Sequence, residues 1–162
     1  MIKDRKERLD RDTYFLEMAI LVATRGTCAR RQVGCVLVSG RQHVLATGYN
    51  GVAAGLAHCI EDHCPGASYP SGSGLNKCEA IHAEQNALLQ CSDMFNIEAC
   101  YCTVAPCVTC VKLLLNTSCK NIIFLEEYSN SGKDLWKKAG REWRNHYDSE
   151  YLETTFGPTE LT

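Results

Sequence analysis

Residues 78–90 read CEAIHAEQNALLQ, and residues 106–110 read PCVTC. In the first stretch Ile81, Ala83, Ala87 and Leu88 recur at a helical period among alanines, which predicts a helix with His82 and Glu84 near its start. In the second, Pro106 suits a first helical turn, and Val108, Val111, Leu114 and Leu115 are the apolar positions of a second helix. Cys107 and Cys110 then lie three residues apart on one face, so both sulfurs reach a common point.

A histidine and two cysteines leave the fourth position of a tetrahedral Zn²⁺ open to water, the layout of a catalytic metal site rather than a closed structural one. Glu84 is not needed as a ligand and is free to move protons. A bound water of lowered pKa is hydroxide near neutrality, able to attack an electron-poor ring carbon that carries an amino group. Two helix N-termini aimed at this point favour the negative charge that develops there. Alone, HAE is a common tripeptide, and PCxxC is a redox pair or half of a structural zinc site. Together and in this order they match the H-x-E…P-C-x-x-C signature of zinc nucleobase deaminases.

Working outward, the apolar run TYFLEMAILVATR predicts a helix over Thr13 to Arg25. Gln32 to Val38 (QVGCVLV) and Val44 to Tyr49 (VLATGY) predict two strands joined by the Gly40-Arg41-Gln42 turn. Residues 51–77 form an irregular stretch rich in Gly, Pro and Ser. Strands are expected at Ala99 to Ala105 and Asn121 to Glu126, and a further helix around Leu135, Trp136 and Ala139, closed by Gly140. The pattern of the last twenty or so residues assigns no element. The order is an α/β fold, a mixed sheet with helices on both faces.

The chain has 162 residues, enough for one domain over 1–162. Its net charge of −2 offers no bulk attraction to nucleic acid or anionic membrane. No apolar run is long enough to span a bilayer, and MIKDRKERLDRD lacks the apolar stretch of a signal peptide. Eleven cysteines without export signals point to metal ligands in a reducing cytoplasm rather than disulfides.

QVGCVLV, Gly48-Tyr49-Asn50-Gly51, HAEQNA at 82–87, PCVTC and the glutamate-rich strand end before Tyr128 resemble the cytidine deaminase superfamily. GYNG together with HAExNA is most similar to its deoxycytidylate (dCMP) deaminases, over about Tyr14 to Gly140. The resemblance implies a three-layer αβα fold with a mixed five-stranded sheet, and hydrolysis of dCMP to dUMP and ammonia, supplying dUMP for thymidylate synthesis. It implies activation by dCTP, inhibition by dTTP and a homohexamer. It also implies a role for Asn50 at the sugar, where the alternative is an ordinary turn asparagine. Tyr128 either abuts the pyrimidine or is a boundary aromatic. The glycine-bearing turn at Asn50-Gly51 and 52–55 is able to bring amides to a phosphate, so an effector triphosphate with Mg²⁺ is expected there. Arg25, Arg30, Arg31 and Lys112 are candidates for the substrate phosphate. The competing functions are deamination of another base or of RNA, and a non-catalytic zinc-binding module.

Relatives in this resemblance carry a second, structural zinc at cysteines matching Cys28 and Cys59. Here Cys64 and Cys78 fit best as the remaining ligands, with His58 or His63 as a substitute for one of them, and the alternative is free thiols or buried small residues. Such a closed site would tie the insertion at about 51–78 to the first motif helix. Cys35, Cys91, Cys100, Cys102 and Cys119 read as core thiols.

Overall fold

The computed structural model describes residues 8–146. The first helix, α1, spans Arg11–Ala23, two residues earlier at each end than the apolar pattern predicts. Asp10 caps it, accepting from Thr13 N at 3.0 Å and from Thr13 Oγ1 at 2.5 Å. It stops where Thr24 Oγ1 folds back to Leu21 O and Gly26 N closes onto Ala23 O.

Strand β1 (Gly34–Ser39) turns into the antiparallel β2 (Val44–Tyr49) through a tight loop in which Gln42 has φ 68°. β1 starts two residues later than expected because Val33 N bonds the Asn50 side chain instead of a ladder partner. Two short strands follow, β3 (Gly51–Val52) and β4 (Ala80–Ile81), paired to each other across the insertion. Helix α2 is Ala83–Gln90, not 78–90. The apolar period does run back through Ile81, but pairing with β3 holds Ala80–Ile81 extended, a tertiary override of local pattern.

Next come β5 (Ile97–Val104), α3 (Val108–Leu115), β6 (Asn121–Glu126), α4 (Lys133–Lys138) and β7 (Glu142–Asn145). Pro106 precedes the α3 cap, Cys107, rather than opening the helix. Gly140, with φ 74°, ends the last helix in a left-handed turn suited to glycine. β7 falls at the edge of the stretch that sequence left unplaced; residues 147–162 of that stretch lie outside the described residues.

The main sheet runs β2-β1-β5-β6-β7, antiparallel among β2, β1 and β5, then parallel from β5 to β7. Each parallel step needs a crossover, which α3 and α4 supply. This is the expected mixed five-stranded sheet between helical layers. On one face Phe15, Leu16 and Ala19 of α1 pack on Val36, Val38, Ala99, Tyr101 and Ile123. On the other, Ala83, Ala87, Val111, Leu114 and Trp136 cover Cys35, Leu37, Cys100, Cys102, Ile122 and Phe124.

Two tight contacts set the helices that matter for function. A Cβ at Gly48 of β2 would clash with Ala83 O and Ala87 N, so α2 lies directly on the strand backbone. At the other end of α3, Arg141 donates to Leu115 O at 2.9 Å and Cys119 O at 2.6 Å and stacks over Trp136 at 5.0 Å. A cation there also complements the negative end of the helix.

Candidate metal and catalytic site

The site gathers where β5 and β6 end and α2 and α3 begin, the end of a parallel sheet where ligands of α/β folds collect. His82 is the N-cap of α2, with φ −71° and ψ 157°, and Cys107 is the N-cap of α3. Gln85 closes a capping box by accepting from His82 N at 2.9 Å. Asn86 Nδ2 donates to Tyr49 O at 2.8 Å and Gln90 Nε2 to Thr47 O at 3.1 Å, lashing α2 along β2. Asn86 was present in the sequence motif without an assigned role; its partner lies 37 residues away, which spacing along one helix does not reveal.

His82 Nδ1 stands 3.4 Å from Cys107 Sγ and 3.4 Å from Cys110 Sγ, and all three donor atoms lie within 4.8 Å of one another. Zinc bonds of roughly 2.0–2.3 Å at tetrahedral angles put N and S about 3.6 Å apart, so this donor set fits the ion. Without an ion the same closeness couples the groups. Hydrogen bonding from Cys110, then from His82, brings the Cys107 thiol down to about 4. His82 is raised, first by its bond to Cys107. Cys110 is pushed up, first because it donates to Cys107 and then by burial.

Glu84 sits one residue inside α2, 4% exposed, and lines the same pocket as His82 and Cys107. Burial, then the nearby Cys100 thiol, pushes its carboxyl up to about 7. A group that gains and loses a proton near neutrality is suited to shuttle one.

The pocket is also lined by Asn50, Tyr128, Val33, Ala105, Arg30 and Arg31. Of the four basic candidates for the phosphate, Arg25 and Lys112 do not line it. Arg30 spends one guanidinium nitrogen on the carbonyls of Tyr69, Pro70 and Ser73. Arg31 pairs with Glu126. Asn50 is buried and largely occupied: Oδ1 accepts from Val33 N at 2.8 Å and Nδ2 donates to Arg31 O at 2.7 Å. It clamps the 26–33 loop while keeping one amide hydrogen free by these bonds.

At the turn expected to bind a phosphate, part of the backbone is already bonded. Asn50 N donates to Val33 O, and Gly51 and Val52 pair with Ile81 and Ala80. Gly51 is packed so closely that a Cβ would clash with Thr27 Oγ1.

In the insertion, Cys59 and Cys64 bring their sulfurs to 3.6 Å. Cys64 is lowered, first by the Glu79 amide and further by Cys59 and Cys78. Among the described residues no three of Cys28, Cys59, Cys64 and Cys78 come within 4.8 Å of one another. Cys78 also bonds Cys64, and Cys28 and Cys78 both line the pocket. All eleven cysteines are free thiols, and among the described residues the one other group of three donors within 4.8 Å is Cys35, Cys100 and Cys102. Among the described residues no helix is long and apolar enough to cross a membrane.

Residues 9–126 match the cytidine and deoxycytidylate deaminase zinc-binding region. The chain is 38% identical over 145 residues to the deoxycytidylate deaminase of Schizosaccharomyces pombe, covering 86% of this chain but 45% of that protein. It is 40% identical over 127 residues to the deoxycytidylate deaminase of Mycobacterium phage D29, covering 74% of this chain and 98% of the phage protein. Its fold superposes with TM-score 0.67, at 27% identity, on the dCMP deaminase of cyanophage S-TIM5 in complex with dCMP and dUMP, covering 85% of this chain and 98% of that one.

Proposed function

The chain belongs to the cytidine and deoxycytidylate deaminase zinc-binding family, and from that premise we propose that it hydrolyses dCMP to dUMP and ammonia. The observation that carries the reading is one pocket holding His82, Cys107 and the buried Glu84 beside Asn50 and Tyr128. The phage deaminases it resembles along their whole length support dCMP over other bases. We read residues 1–162 as one such domain, since both cores of the described residues share one sheet, and take the cytoplasm as its location on the likeness to the deaminases alone.

In this reading His82, Cys107 and Cys110 hold the zinc, which when bound supplies a water acid enough to react as hydroxide near neutrality. Glu84 takes a proton from the attacking water. It gives that proton to the pyrimidine ring nitrogen, then takes the remaining proton of the hydroxyl now on the ring carbon and gives it to the departing amine, which leaves as ammonia. The helix starts at His82 and Cys107 favour negative charge at this point. Tyr128 borders the base and the remaining Asn50 amide hydrogen meets a sugar hydroxyl. Arg31, the pocket arginine held by a carboxylate rather than by carbonyls, exchanges Glu126 for the substrate phosphate.

The reading extends to a second, structural zinc at Cys28, Cys59, Cys64 and Cys78, supported by the approach of Cys59 to Cys64. It extends to a homohexamer regulated by dCTP and dTTP with Mg²⁺ near Asn50 and Gly51. That regulation rests on the family likeness alone.

The test is ammonia release from purified protein given dCMP, dCTP, cytidine, deoxycytidine and adenosine in parallel. Turnover of dCMP above the others is expected. Preference for adenosine, or no turnover by zinc-loaded protein, would overturn it. A dCMP saturation curve with and without dCTP and dTTP, beside light scattering, tests regulation. A monomer with hyperbolic kinetics indifferent to both would remove it.

A further inference from the structure

One wall of the pocket is neither strand nor long helix. Ser71, Gly72 and Leu75 of the insertion line the same pocket as His82 and Glu84. The Pro70–Ser73 turn is internally closed, with Ser73 N donating to Pro70 O at 3.0 Å and Ser73 Oγ to the same oxygen at 2.8 Å. Gly72 and Gly74 have φ of 82° and 59°, conformations that glycine adopts at little cost. Pro70, Ser71 and Ser73 are all exposed, so little apolar packing holds this segment down.

It is instead tethered at both margins of the pocket. On one side Arg30 Nη1 reaches Ser73 O at 2.8 Å, Pro70 O at 3.2 Å and Tyr69 O at 3.3 Å. On the other, Asn130 Nδ2 donates to Gly72 O at 3.0 Å, and a Cβ on Gly72 would stand 3.5 Å from Tyr128 Oη. The turn therefore runs as a strap from the 26–33 loop to the loop after β6. Asn50 fixes the base of the first tether by bonding the neighbouring Arg31 carbonyl at 2.7 Å.

We infer that residues 70–73 are a strap that closes over the bound nucleotide, and that Arg30 and Asn130 are the positioning residues that latch it. The bonds are solvent-exposed and few, so they open locally without unfolding the sheet. A guanidinium donor to carbonyls is nonetheless stronger than a neutral pair. If only the closed form retains substrate, weakening the latch lowers the competent fraction, and apparent affinity falls by that fraction. The chemistry at Glu84 is untouched once the strap has closed. Arg30 thus acts on KM and leaves kcat nearly alone, in contrast to any residue at the metal.

The inference rests on the deaminase reading for its kinetic half and on hydrogen exchange for its structural half. In Arg30→Ala, KM for dCMP should rise about tenfold or more, the worth of charge-assisted hydrogen bonds to carbonyls, with kcat within about threefold. Arg30→Lys should recover part of the loss, and Asn130→Ala should give a smaller rise. The amides of Gly72 and Ser73 should exchange faster in Arg30→Ala and Asn130→Ala, with those of β1 and β5 unchanged. Saturating dCMP should slow them in the unaltered protein. A KM change without faster exchange would make Arg30 a direct substrate contact and overturn the latch. Unchanged KM and unchanged exchange would also overturn it. If Arg30→Ala fails to fold, Arg30→Lys and Asn130→Ala decide by the same two readouts. If the unaltered protein deaminates none of the nucleotides, the deaminase reading is what fails, and exchange at Gly72 and Ser73 still decides the latch.

Discussion

Two groups of three metal-type donors lie on the same side of one sheet, and they differ in nearly everything except spacing. His82, Cys107 and Cys110 stand at the starts of α2 and α3, and two of them face a pocket. Cys35, Cys100 and Cys102 stand on β1 and β5, each 0% exposed, with sulfur separations of 3.6 and 3.4 Å. The first group has a histidine, helix N-termini and an unblocked side next to a buried carboxylate. The second also lies near Glu84, through Cys100, but none of its members lines the pocket, so its sulfurs serve as small apolar side chains that fill the layer beneath α2. Ligand spacing nominates a metal site; access and a proton-moving partner make it a chemical one.

The largest expected effect is at the carboxylate. Glu84→Gln should lower kcat by several powers of ten, because each proton transfer it serves is worth ~10²–10⁴-fold. Zinc content, measured by elemental analysis, should stay as it was. Near-normal turnover would break the distinction between the two groups at its centre.

Next, Cys107→Ser and Cys110→Ser should lose zinc and activity together, whereas Cys35→Ala and Cys100→Ala should keep both. The strand-cluster variants should lose only about 1–2 kcal/mol in denaturant titration, the ordinary cost of a small core deletion. Loss of zinc from Cys100→Ala would show that the buried cluster is more than packing.

Gly48→Ala tests the positioning of α2 without touching a ligand. The added methyl meets Ala83 O and Ala87 N, so helix and strand must part. Overpacking of this kind costs about 1–3 kcal/mol, and activity should fall by more than stability alone explains, since Glu84 moves with the helix. Unchanged kcat would mean that α2 has room the packing denies.

The smallest effect on catalysis should come from the insertion thiols. Metal analysis of protein purified without added metal should find about two zinc ions per chain, and Cys59→Ser should leave about one with kcat nearly intact. One zinc per chain in both would leave Cys59 and Cys64 as a neighbouring thiol pair.

What could be read from sequence follows the reach of its patterns. Cys107 and Cys110 were legible because three residues along a helix is a fixed geometry. The strand at 121–126 was legible because its apolar run matches its burial, and the one at 44–49 because the tight turn before it ties it to the buried run of β1. The start of α2 was not, since it depends on β3 pairing with β4 across the insertion. β7 was not, because EWRN has neither alternation nor length and is a strand through its parallel neighbour β6. Gly48, Asn86, Arg30 and Asn130 carried no local signal of their roles. Each acts on backbone that lies from 35 to 58 residues away or on the far side of a packed helix.

Arg141 has a consequence for tolerance. It binds the far end of α3, the helix whose near end holds Cys107 and Cys110. An eight-residue helix is about 12 Å long, so a pivot of about 5° at the arginine swings the sulfurs by about 1 Å. Metal bond lengths allow only a few tenths of an ångström. Seen as mechanics, the helix is a lever with its bolt at Arg141, and the accuracy of the metal centre is set from its opposite end.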